Sequence, residues 1–131
     1  MIYILVHKNK DREISRHFTA NKDAQSHMWS EYDEARKNAE EKVSGCRGGD
    51  WCEIEYPDKT NETWAIYPVD IPKNEKIQVT YKTGTEIVYF ITKKELTMDN
   101  FFIYKYDTKN SITTKLGKGN NPVQLEQKYI K

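Results

Sequence analysis

Among the residues able to do chemistry, the histidines come first: His7, His17 and His27 fall at ten-residue intervals. No His-Glu-x-x-His or comparable ligand spacing joins them, so they form no metal motif. His7 and His17 are candidates for cross-strand neighbours in an N-terminal hairpin, the one arrangement that keeps a metal or acid-base role open for them. Two cysteines, Cys46 and Cys52, flank a Gly-rich stretch. A zinc site takes about four ligands, usually as close pairs, and these two cysteines have no second pair. A reducing cytosol also opposes a bridge between them. Gly48-Gly49 and Gly117-Lys118-Gly119 match neither a P-loop nor a dinucleotide fingerprint, and no Gly-x-Ser-x-Gly elbow occurs. Glu53 and Glu55 are paired carboxylates, but acid-base work needs a concave, partly desolvated site that separates their pKa values. An exposed strand face offers none. The expectation is therefore binding without catalysis, with no cofactor and no metal.

Charge is divided along the chain. Residues 1–72 carry ten Lys and Arg against fourteen Asp and Glu, a net of −4, whereas residues 73–131 carry eleven Lys against six acids, a net of +5. In the acidic part, Trp51, Glu53 and Glu55 share one face of a strand, with Asp50, Asp58 and Glu62 near the ends of the hairpin. An aromatic anchor set among carboxylates is the pattern of a protein interface: the ring supplies burial, and the charges supply orientation and encounter rate. The partner it fits is basic, and nucleic-acid-processing enzymes are a natural class, since Lys and Arg line their channels. In the basic part, Lys82, Lys93, Lys94, Lys105, Lys109, Lys115 and Lys118 are interleaved with Tyr81, Tyr89, Phe101, Phe102, Tyr104 and Tyr106. Basic grooves with aromatic faces grip single strands, so nucleic-acid binding is the alternative. Against it, all four arginines lie in the first part, leaving the basic part without the forked donor that clamps phosphate or reads guanine, and the aromatics sit at strand spacing, where core packing is the ordinary role.

The elements that must position these residues follow from periodicity. With 131 residues the chain fits a single domain, and sub-domains 1–72 and 73–131 are the natural division. Residues 2–6 are apolar on both faces, as in a central strand. Asn9-Lys10-Asp11 reads as a turn into a strand carrying Ile14 and Phe18. Residues 23–44 carry Ala24, Met28, Tyr32, Ala35, Ala39 and Val43 at helical spacing, with Asn21 as the cap, Gly45 as the stop and Ser30 as an alternative start. Cys46 then falls in a loop, and Cys52, Ile54 and Tyr56 form the inward face of the next strand. Residues 63–69 return as another strand. After Pro68 and Pro72, the alternation of Ile77, Val79 and Tyr81 and a Thr83-Gly84 turn into residues 87–91 mark a hairpin. An aromatic strand over 101–106 and a weaker one over 111–116 follow, with 117–121 as a loop and a tail that is either helix or strand. The fold class is α+β with largely antiparallel sheets: β-β-α-β-β, then an all-β part of three to four strands.

Residues 1–6 are too short a run for a membrane span and lack the basic start of a signal peptide, which places the protein in the cytoplasm with no membrane partner. Asn61-Glu62-Thr63 fits a glycosylation acceptor, a pattern that matters only in a secretory compartment. In size and in its richness in Lys, Asn and Tyr, the chain resembles the small accessory proteins of phages and mobile elements, including inhibitors of host defence nucleases. That resemblance implies an anti-defence inhibitor acting on a basic host protein. An immunity protein that plugs a toxin's active site would use the same acidic surface.

Overall fold

The first strand, β1 (Ile2–Lys8), pairs antiparallel with β2 (Glu13–Phe18), from Tyr3 opposite Phe18 to Lys8 opposite Glu13. Asn9 makes the turn, its side-chain oxygen accepting from the backbone N–H groups of Asp11 (2.9 Å) and Arg12 (3.0 Å). The computed structural model describes residues 1–39, 43–83, 86–94 and 100–130.

The helix α1 spans Asn21–Asn38 and buries Ala24, Met28 and Tyr32 along one stripe. It is shorter than the 23–44 expected from periodicity. Ala20, not Asn21, holds the cap position, and Ala39 is already extended; residues 40–42 of the expected helix lie outside the described residues. Ser30 is interior to α1. Gly45, expected to stop the helix, belongs instead to strand β3 (Ser44–Arg47), and Cys46 is thus on a strand and not in a loop. The reason is steric. A Cβ at Gly45 would collide with the Tyr32 hydroxyl and sit 3.2 Å from the Arg36 side chain, so the missing side chain lets β3 pass close under the helix.

Strand β4 (Trp51–Glu55) pairs with β3 on one side and with β5 (Asn61–Val69) on the other. The five-stranded sheet has the order β2-β1-β5-β4-β3. Its helix-side face and α1 enclose a core of Leu5, Met28, Tyr32, Cys52, Ile54, Trp64 and Ile66. Each large side chain fully buried in this way contributes about 1.5–3 kcal/mol.

The remaining strands, β6 (Glu75–Thr83), β7 (Ile87–Lys94), β8 (Phe101–Asp107) and β9 (Ile112–Gly119), form an antiparallel meander in that order. Gly84 of the expected hairpin turn lies outside the described residues. The tail is a helix, α2 (Pro122–Tyr129), with Pro at its start and the Asn121 side chain accepting from the Val123 N–H at 2.8 Å. Gly117 and Gly119, expected in a loop, end β9 and are where α2 lands. A Cβ on Gly117 would strike the Tyr129 ring, and one on Gly119 would lie 3.3 Å from Leu125. Ile91, Ile103 and Leu125 make the core beneath this helix.

The architecture is thus α+β, with two antiparallel-rich sheets and two helices among the described residues. The chain divides into two compact units, one of residues Ile2–Pro68 and one of Val69–Lys131 with Met1.

Candidate functional site

In the first unit, the face of β4 that looks away from α1 carries Trp51, Glu53 and Glu55. Register places them opposite Ala65, Thr63 and Asn61 of β5, while Ser44 and Cys46 of β3 stand beside Glu55 and Glu53. Trp51 is 46% exposed, far above what an ordinary core tryptophan shows, and Glu55 is exposed too. The ring is braced from below: a Cβ at Gly48 would come 2.8 Å from the Trp51 indole nitrogen, and the Gly48 N–H donates to the Trp51 carbonyl at 2.7 Å. A side chain seated on backbone loses little freedom when a partner covers it. Asp50 is exposed beside Trp51, its carbonyl tied to the Ile66 N–H at 2.8 Å. Arg47, the one cation of β3, sits opposite inward-facing Cys52 and so turns to the helix side. There its guanidinium lies 4.7 Å from the Trp29 ring centre and 3.6 Å from Asp33. The β4 face therefore keeps its negative sign.

Of the acids expected near the end of this hairpin, Asp58 is there and Glu62 is turned inward. Asp58 is in the β4–β5 turn, where it accepts from the Thr60 hydroxyl (2.6 Å) and amide (2.9 Å), with Lys10 at 3.9 Å. The Thr60 hydrogen bonds hold its carboxyl below the ordinary aspartate value. It borders a cleft of about 230 Å³ that also includes Lys10, Tyr56 and Glu62. Glu62 is only 8% exposed. It lies opposite Ile54, hence on the inward phase of β5 with Trp64 and Ile66, and does not share a surface with Trp51.

Glu62 instead centres a polar cluster. Its carboxylate accepts from the Tyr56 hydroxyl at 2.6 Å and meets His7 Nε2 at 2.5 Å. The His7 ring stacks on Trp64, with centroids 4.5 Å apart and planes 7° apart, and His7 Nδ1 is 3.7 Å from Glu31. Glu31 is held in turn by Arg16 at 3.1 Å and His27 at 3.0 Å. Burial first, and then the hydrogen bond and charge of Glu62, push the Tyr56 phenol up to about 12. The cluster sets an imidazole between two carboxylates. Its immediate effect is to satisfy groups that α1 and β5 bury. Sequence reasoning paired His7 with His17, but the register sets His7 opposite Ile14 and His17 opposite Ile4, on opposite faces. The signal was present in the phase of each strand: His7 alternates with Leu5, and Glu62 with Trp64.

The cysteines are both free. Cys46 is exposed beside Glu53, whereas Cys52 points into the core, where burial raises its thiol pKa. Their side chains leave opposite faces of the sheet, so they cannot bridge without moving backbone. Among the described residues no group of His, Cys, Asp and Glu is arranged to hold a metal ion. No described helix is long and apolar enough to cross a membrane.

In the second unit, Tyr104 and Tyr106 are 4% and 2% exposed. Neither can offer a face to a base, whereas Tyr81, Tyr89, Phe101 and Phe102 are only half-buried. Tyr104 stacks on Phe90 at 5.0 Å and donates to buried Glu75 at 2.5 Å; burial and that carboxylate raise its pKa. Lys105 lies opposite Tyr89 and Thr114, Lys93 and Lys94 border a separate cleft, and the Lys82 side chain is outside the described residues. No protein family, curated protein or solved structure matches the chain.

Proposed function

We propose that the protein is a non-catalytic binder whose β4 face, with Trp51 as anchor and Asp50, Glu53 and Glu55 as steering charges, engages a basic protein partner. The observation that carries this reading is the exposed, backbone-braced Trp51 flanked by carboxylates, with Arg47 turned away from it. Interface energy concentrates in such aromatic anchors, while the charged rim governs encounter and selectivity. The partner class that fits is a nucleic-acid-processing enzyme of the cytoplasm, whose Lys- and Arg-lined channel the acidic face would occupy. Occupation would inhibit the enzyme, the role of an anti-defence protein of a phage or other mobile element.

The test is capture from host lysate on the immobilised protein, with mass spectrometry of what is retained. A basic nuclease or related enzyme is expected on the wild type. It should be absent from the Trp51→Ala, Glu53→Lys, Glu55→Lys variant when circular dichroism shows the same fold. The retained enzyme should lose activity on adding one equivalent of the wild-type protein. Equal retention by the two proteins would overturn the reading.

A further inference from the structure

The hairpin of β6 and β7 sets two lysines face to face. Lys76 is directly opposite Lys93, next to the pair Glu75 and Lys94. Like charges directly opposite across an antiparallel pair destabilise it. Lys73 and Asn74 precede β6, and Gln78 follows Lys76 two residues on; together Lys73, Asn74, Lys76, Gln78, Lys93 and Lys94 border one cleft of about 290 Å³. None of the described lining residues is acidic. Glu75, the acid next in sequence, is buried and committed elsewhere: it accepts from the Thr92 hydroxyl at 2.6 Å and the Tyr104 hydroxyl at 2.5 Å, with Lys115 at 3.9 Å. Lys93 leans over the Phe101 ring of β8, 5.6 Å from its centre, so its ammonium rests on the side of β7 away from Lys76 and must swing back to meet an anion in the cleft. Register thus sets two like charges directly opposite each other, and an anion lying between Lys76 and Lys93 would attract both.

We propose that this cleft binds linked phosphates, a di- or triphosphate group. Lys76 and Lys93 bracket it as point charges, Lys73 and Lys94 stand at the rim, and the Asn74 and Gln78 amides donate to phosphate oxygens. The volume, about 290 Å³, is at the small end of ligand cavities and suits the phosphates better than a whole nucleotide. The carrier is either a free polyphosphate or nucleotide, or the 5′ end of a nucleic acid; the chemistry recognised is the same. This site is independent of the β4 face.

Titration calorimetry of the full chain at low salt tests it, with sodium tripolyphosphate, ATP, and a single-stranded oligonucleotide bearing either a 5′-hydroxyl or a 5′-triphosphate. Tripolyphosphate is expected to saturate one site and to bind at least tenfold more weakly to Lys76→Gln and to Lys93→Gln, with no change for Lys109→Gln in the exposed β8–β9 turn. Without ligand, Lys76→Gln should melt at or above the wild-type temperature, because a repulsion has been removed, and tripolyphosphate should raise Tm for the wild type only. Tighter binding of ATP than of the 5′-triphosphate oligonucleotide assigns the free carrier, and the reverse order assigns the nucleic acid. The proposal is overturned if tripolyphosphate does not saturate, if both cleft variants bind it like the wild type, or if Lys109→Gln weakens it equally. It is also overturned if the 5′-hydroxyl oligonucleotide binds while tripolyphosphate does not.

Discussion

Glu62 shows how a charge is turned inward and made useful to the fold. It occupies the inward phase of β5 between buried neighbours, and its two oxygens are matched by a phenol and an imidazole. Removing the acceptor strands both donors in a poorly hydrated place. Glu62→Ala is expected to destabilise the protein by about 1–3 kcal/mol, measured by urea denaturation, with Glu62→Gln losing less because it keeps one acceptor. Tyr56 gives the matching pH test. Its folded-state pKa, about 12, lies above the ordinary value of 10.0, so the protonated phenol favours the fold. That contribution is intact below pH 10 and is lost as pH rises through about 12. Tyr56→Phe should therefore flatten the fall of Tm over that window, and an unchanged alkaline limb would contradict the Glu62 contact. At this scale the sequence was legible for Trp51, Glu53 and Glu55, because strand alternation alone assigns their face. It misled for Glu62, since a polar residue type says outside while its strand phase says inside, and the phase won; for Tyr104 and Tyr106 the strand spacing already pointed to core packing.

At the scale of elements, the two misread segments share one cause. Gly45 and Gly117 look like breakers in a single sequence, yet each is a strand residue over which a helix side chain is laid. Local propensity cannot reveal a tyrosine from another element arriving at that point. The prediction is a coupling. Gly117→Ala should destabilise the protein by about 1–3 kcal/mol, as overpacking does, and should lower hydrogen-exchange protection in α2. In a Tyr129→Ala background the same change should have little effect, because the ring it strikes is gone. Additive losses in that double-mutant cycle would contradict the docking of α2 on β9. By contrast, the β1–β2 hairpin, the buried stripe of α1 and the meander of β6 to β9 were readable, because in each the hydrophobic period agrees with the tertiary environment. The Asn121-Pro122 pair also carried a helix start, which the tail reading left open between helix and strand.

Over the whole molecule, the charge division seen in composition resolves into two local surfaces with different chemistry. One unit bears Trp51 among carboxylates; the other bears opposed lysines around a cleft. If the acidic face steers a basic partner, association should slow as salt rises while dissociation changes little, which stopped-flow mixing would read. Composition gave the signs of the two parts, but not which charges remain outward once Arg47 and Glu62 have turned to the helix side. The most direct test of the central claim is calorimetric titration of the captured basic partner into four proteins: wild type, Trp51→Ala, the Glu53→Lys, Glu55→Lys pair, and Lys76→Gln. The β4 reading predicts at least about a 30-fold loss of affinity for Trp51→Ala, a comparable loss for the charge-reversed pair, and no change for Lys76→Gln. Affinities for Trp51→Ala and the charge-reversed pair within twofold of wild type, with the fold intact by circular dichroism, would contradict it.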